Sequence, residues 1–171
     1  MSGFKKAVIA LGSNLGDRAA QIRAAAEQLS ELGGTVLLGL SPLYQSAAVK
    51  PDGVDLDAPE YLNAVALIKT DLPPEALLME LAGIEEDFGR VRTERWGDRT
   101  LDLDIIWMED TQMTTVNLTI PHPRAHERSF VLIPWLDIQP EASLPDHGPL
   151  AEIAAGMETE LSVFDPTTQV S

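Results

Sequence analysis

Segments with strand and helix character follow one another along this chain in an order that leaves few ways to bury them all. Residues 6–11 (KAVIAL) form a β-branched and aliphatic run that closes at Gly12, and Ile22, Ala25, Ala26, Leu29 and Leu32 then recur at helical spacing until Gly33 and Gly34 stop the pattern. Residues 35–44 and 61–68 read as two further strands, separated by a Pro-, Gly- and Asp-rich loop over 47–60. Pro73, Pro74 and Glu75 suit a helix first turn, Leu77, Leu78, Leu81, Ile84 and Phe88 supply its apolar face, and Gly89 its stop. Residues 100–108 (TLDLDIIWM) read as a last strand. The order β-α-β-β-α-β is that of the split βαβ, or ferredoxin-like, α+β class: an antiparallel sheet with helices packed on one face. Residues 125–157 add C-terminal helical segments with Val131, Leu132, Trp135 and Leu136 as their packing stripe. No repeat or linker divides the chain, so a single domain over 1–171 is expected, with a poorly ordered tail over 158–171.

The chemistry concentrates just before and within the last strand. Residues 90–105 read RVRTERWGDRTLDLDI, so a chain with 27 acidic and only 12 basic residues spends four of its arginines there. Asp102 and Asp104 share one face of the strand, while Leu101, Leu103 and Ile105 point to the other. Their Cα atoms lie about 7 Å apart on a strand rising ~3.3 Å per residue, a spacing from which two carboxylates can chelate a hard divalent cation. Magnesium beside guanidinium groups points to polyphosphate, because Mg²⁺ prefers a few carboxylates, water and phosphate oxygens, and the guanidinium fork matches phosphate geometry. The same Asp-x-Asp spacing also suits the solvent face of an edge strand. The arginines and Trp96 favour the metal and anion.

Composition narrows the function classes. At 171 residues and 44% hydrophobic content the chain can bury a sizeable core. No apolar run approaches a membrane span, and the start MSGFKKAVIAL lacks the apolar core and cleavage site of a signal peptide. The chain has no cysteine, which excludes disulfides and agrees with a reducing interior. A net charge of −15 argues against general nucleic-acid binding. A cytoplasmic monomer acting on small molecules, with no nucleic-acid or membrane partner, is the expectation.

Four blocks, ALGSNLGDR at 10–18, YLNAV at 61–65, GRVR with RWGDRTLDLDI within 89–105, and LTIPHPRAHERSFVLIPW at 118–135, together resemble the 6-hydroxymethyl-7,8-dihydropterin pyrophosphokinase family of folate biosynthesis. The resemblance covers almost the whole chain and implies the same α+β fold. It implies that ATP binds with two Mg²⁺ ions held by Asp102 and Asp104, that the hydroxymethyl oxygen of 6-hydroxymethyl-7,8-dihydropterin attacks the β-phosphorus, and that AMP leaves. Arg90 and Arg99 then stand as catalytic residues beside the two aspartates. Asn14, Ser46, Ala47, Val49, Tyr61, Asn63, Trp96 and Phe130 fall at pterin positions. Glu85, on what reads as the polar side of the second helix, joins Arg92, Ile105, Thr119, His122 and Arg128 at nucleotide positions. The chain departs from the family at Asp98, where a proline is usual, at Ser46-Ala47-Ala48, and at Asn117, where some relatives are basic.

Other readings of these residues stay in view. The 12–17 loop, Gly-Ser-Asn-Leu-Gly-Asp, lacks the Gly-Lys-Ser/Thr of a Walker loop and on its own reads as a turn with a helix cap. His122 and His126 stand four apart, yet Pro123 between them and the absence of cysteine argue against zinc; His126 and His147 receive no role. Two rival functions are a non-catalytic nucleotide-sensing module and a Mg²⁺-dependent phosphohydrolase.

Overall fold

The structure, a computed structural model, describes residues 4–13, 18–46, 49–50, 53–54, 61–87, 101–157 and 162–163. In chain order the elements are β1 (Lys5–Ser13), α1 (Arg18–Glu31), β2 (Thr35–Leu40), β3 (Tyr44–Ser46), β4 (Val49–Lys50), β5 (Gly53–Val54), β6 (Tyr61–Thr70), α2 (Pro74–Asp87) and β7 (Asp102–Met108). They continue with β8 (Met113–Thr114), β9 (Thr119–Ile120), a 3₁₀ turn at Ala125–Glu127, α3 (Ser129–Ile138), β10 (Ser143–Leu144), β11 (Gly148–Pro149), α4 (Leu150–Ala155) and β12 (Ser162–Val163).

The main sheet runs β12-β3-β6-β1-β7, with β2 alongside the far end of β6, and every pairing is antiparallel. Alternation along the strands sorts side chains onto two faces. Ala7, Ile9 and Leu11 of β1, Ala64, Ala66 and Ile68 of β6, and Leu103 and Ile105 of β7 pack against Ile22, Ala25 and Leu29 of α1 and Leu77, Leu81 and Ile84 of α2. Val8, Val65, Leu67 and Ile106 pack on the opposite face against Ala125, Val131, Leu132, Trp135 and Leu150. The first two helices thus share one face, as expected. The C-terminal segments cover the other, a placement that their own apolar stripe could not reveal.

Two further expectations are corrected. The second strand breaks in two, because Pro42 has no N–H to give a ladder. Ser41 bridges the break: its N–H donates to the Val65 carbonyl and its Oγ accepts the Val65 N–H, both at 2.9 Å. Within the C-terminal segment, Ser162 and Val163 pair with Gln45 and Tyr44 on the sheet edge. In β7 the alternation is interrupted, as the register passes from Val8↔Trp107 to Ile9↔Ile105 and leaves Ile106 as the extra residue of a bulge. That bulge turns Trp107 onto the α3 face, where its ring lies 6.1 Å from that of Trp135.

Candidate active site

One cross-strand row organises the site. Asp102 of β7 opposes Gly12 of β1, Gly12 opposes Asn63 of β6, and Asn63 opposes Tyr44 of β3. Residues directly opposite on neighbouring strands send their side chains to the same face. The next row is Asp104, Ala10 and Val65, and Val65 belongs to the α3-side core. Asp102, Asp104, Asn63 and Tyr44 therefore all face the side that α3 covers. Asn63 and Asp102 lie two strands apart, roughly 10 Å. Between them Gly12 contributes no side chain, and Ala10 in the next row only a methyl. Asn63 is 7% exposed, whereas both aspartates are half-buried.

The segments entering α3 bring further groups to this face. His122 donates its main-chain N–H to the Ile106 carbonyl at 2.8 Å, which fixes it beside β7. Its Nδ1 accepts the Arg124 N–H at 3.1 Å, so the neutral ring carries its proton on Nε2. Burial holds the His122 pKa below its usual value, the positive charges of Arg128 and Arg124 add to that, and Asp102 opposes it. Asp102, His122 and Arg128 are thus electrostatic neighbours. Arg128 in turn lies over the ring of half-buried Phe130, its Cζ 5.6 Å from the centroid.

The nucleotide positions divide. Thr119 and His122 line a cavity of about 420 Å³ together with His126, Asp146 and His147. Ile105 is 3% exposed and committed to the core with α1 and α2, so only its main chain is open to a ligand. Glu85 is not on the polar side of α2: it is 6% exposed, and its Oε2 accepts the Leu103 N–H at 2.8 Å. The sequence did carry that signal, because Leu77, Leu81 and Glu85 recur every four residues along one helix face. His126 and His147 stack face to face with centroids 4.0 Å apart and an interplanar angle of 12°. Nothing local could have paired them, since they sit in the 3₁₀ turn and in the turn between β10 and β11.

Tyr44 is a second omission. Its hydroxyl donates to Asp137 Oδ2 and ties β3 to α3. Burial, helped by that carboxylate, pushes its pKa up to about 12. Asn14, Ala47, Arg90, Arg92, Trp96 and Arg99 lie outside the described residues. Ser46, Val49 and Tyr61 are described as strand positions only, with Ser46 paired to Tyr61 and Val49 to Val54.

Comparison with known proteins gives a consistent picture. Residues 8–140 match the family model described as 7,8-dihydro-6-hydroxymethylpterin-pyrophosphokinase (HPPK). The chain is 44% identical over 147 residues to the 2-amino-4-hydroxy-6-hydroxymethyldihydropteridine pyrophosphokinase of Haemophilus influenzae, covering 86% of this chain and 89% of that protein. It is 40% identical over 157 residues to the protein of the same description from Pseudomonas aeruginosa, covering 92% and 94%. Among solved structures, that of Plasmodium falciparum HPPK-DHPS with pteroate is similar in fold, with a TM-score of 0.68 at 16% identity over 89% of this chain. The present chain spans 42% of that longer one.

Proposed function

The chain belongs to the 7,8-dihydro-6-hydroxymethylpterin-pyrophosphokinase family, and from that membership we infer that it transfers pyrophosphate from ATP to the hydroxymethyl group of 6-hydroxymethyl-7,8-dihydropterin in folate biosynthesis, releasing AMP. The observation that carries this reading is the shared face of Asp102, Asp104 and Asn63, separated by side-chain-free Gly12 and flanked by His122 and Arg128. It offers a place for a metal-bound polyphosphate at one end and for a flat polar ring at the other. The strand order supports taking the frame as ferredoxin-like and the chain as one domain. No helix among the described residues is long and apolar enough to cross a membrane. That the chain works as a monomer in the cytoplasm is part of the same proposal.

The donor set fits magnesium. Asp102 and Asp104 present hard carboxylate oxygens on one half-exposed face, and among the described residues no third acid or histidine completes a protein cage. That leaves positions for water and phosphate oxygens, as Mg²⁺ requires. Asp102 and Asp104 would hold two such ions, and the chemistry these would supply is charge neutralisation on the polyphosphate and a more acidic attacking hydroxyl. His122 would donate from Nε2 to a phosphate oxygen as a neutral group, and Arg128 would add its charge. Arg90 and Arg99 keep the role of stabilising charge as the bridging P–O bond breaks, where loss of one such donor costs roughly 10²–10³ in rate. Asn63 can satisfy both donor and acceptor edges of the pterin, with Phe130 stacking on the ring.

The deciding assay supplies ATP, Mg²⁺ and the hydroxymethyl pterin and resolves the products. AMP appearing only with pterin supports the transferase; orthophosphate release would indicate a phosphohydrolase, and no turnover a binding module. Asp102→Asn and Asp104→Asn should each lose at least about 10²-fold in turnover while remaining folded. Near wild-type turnover of either at saturating Mg²⁺ would remove the metal-ligand assignment.

A further inference from the structure

We propose that Tyr44 is a positioning residue for the pterin end of the site, acting through its hydroxyl on Asp137 of α3. The proposal rests on Asn63 and Phe130 holding the pterin. Tyr44 opposes Asn63 on the face that α3 covers, and its hydroxyl donates to the Asp137 carboxylate. Asp137 and Phe130 stand two helical turns apart on α3, so both project from one side of it. The tie to Tyr44 and the ring proposed to stack on the pterin thus belong to the same helix face.

α3 is held at both ends. Its entry is fixed beside β7, where the His122 N–H bonds the Ile106 carbonyl and Arg128 acts on the His122 ring. Its exit reaches β2 and β3: the Ile138 side chain lies 3.8 Å from where a Cβ on Gly39 would stand, and Asp137 meets Tyr44. From Arg128 to Asp137 a helix rises about 14 Å at ~1.5 Å per residue, and the row from Asp102 to Tyr44 crosses three gaps of ~4.8 Å, also about 14 Å. The helix therefore spans the whole row of Asp102, Gly12, Asn63 and Tyr44. Pro134 offers the Phe130 carbonyl no N–H, so the buried Val131, Leu132 and Trp135, rather than an unbroken ladder, make α3 move as one body. Asp137 is the penultimate residue of α3, where the helix dipole disfavours an acid, so its own helix gives no reason for a carboxylate there. Tyr44 is only 8% exposed, so its hydroxyl needs a partner and its ring offers a ligand little surface. Without the bond the exit of α3 lifts from the sheet and Phe130 shifts relative to Asn63, whereas Asp102, Asp104 and His122, set on and beside β7, keep their places.

The test titrates 6-hydroxymethyl-7,8-dihydropterin calorimetrically into protein loaded with Mg²⁺ and an ATP analogue whose α–β bridge is a methylene, after the affinity for the analogue has been measured separately. Tyr44→Phe and Asp137→Ala should each weaken pterin binding roughly three- to tenfold, the net size of one hydrogen bond, and the double variant should lose no more. Asp137→Asn keeps an acceptor for the hydroxyl and should stay within about twofold of wild type. Affinity for the analogue should be unchanged in all four. Thr35→Val is the stability control: it removes the buried hydrogen bond between Thr35 and Thr70 at the far end of β6, and should lower Tm without changing pterin affinity. Wild-type pterin affinity in Tyr44→Phe or Asp137→Ala, additive losses in the double variant, or as large a loss in Asp137→Asn as in Asp137→Ala would overturn the proposal. So would an equal weakening of the analogue, or an equal loss of pterin affinity in Thr35→Val. Asn63→Ala separates the two levels: if it leaves pterin affinity intact, the pterin-site reading itself fails; if it alone weakens binding, only the positioning role fails.

Discussion

Replacing Ser41 by alanine tests how the interrupted edge of the sheet is held. Val65 is fully buried, and its N–H and C=O both turn toward Ser41, away from β1. The hydroxyl accepts the Val65 N–H at 2.9 Å and donates to the Pro42 carbonyl at 2.8 Å. Alanine removes the acceptor and adds nothing that could replace it, at a position 3% exposed. An N–H orphaned in such a place costs about 1–3 kcal/mol. For a domain of this length each kcal/mol lowers Tm by roughly 2–4 °C, so Ser41→Ala should melt about 2–12 °C below wild type. Ser30→Ala is the matched control. The Ser30 hydroxyl also makes a short hydrogen bond, 2.6 Å to the Glu27 carbonyl, but on the exposed side of α1, where truncation should cost within about 0.5 kcal/mol. Differential scanning calorimetry of the two variants decides the matter. Equal melting temperatures would refute the claim that burial of the Val65 N–H, rather than the hydrogen bond itself, sets the cost.

Two pH-dependent predictions concern the elements around the site. With its pKa raised from about 10 to about 12, Tyr44 contributes stability that is fully present below pH 10 and lost as the pH rises toward 12. Ultraviolet titration should find this late tyrosinate absent in Tyr44→Phe and shifted to lower pH in Asp137→Asn; a Tyr44 titrating near pH 10 in the native protein would contradict the burial argument. His122 has a depressed pKa, so its contribution is present above about pH 6.5 and lost as the pH falls through the folded value. In an NMR titration Arg128→Gln should raise the His122 midpoint and Asp102→Asn lower it further, and an unmoved midpoint in both would separate His122 from the two residues.

Much of this arrangement is legible without coordinates because strand and helix periods are local. Alternation alone puts Asp102 and Asp104 on one face of a strand and Leu101, Leu103 and Ile105 on the other, and the order of the elements anticipates an antiparallel sheet combined with helices. The four sequence blocks point to the family for the same reason: they are contiguous. Pro42 even carried a readable warning of the break between β2 and β3. Register was not legible. Nothing along the chain says that Gly12 stands between Asn63 and Asp102, that Ile106 bulges and turns Trp107 toward α3, or that Glu85 ends beneath Leu103. The stacking of His126 on His147 and the tie from Tyr44 to Asp137 are equally invisible. A local period tells which side chains share a face; which faces meet is decided by hydrogen-bond register and packing between segments far apart in sequence, and those are properties of the assembled sheet and its two helical layers.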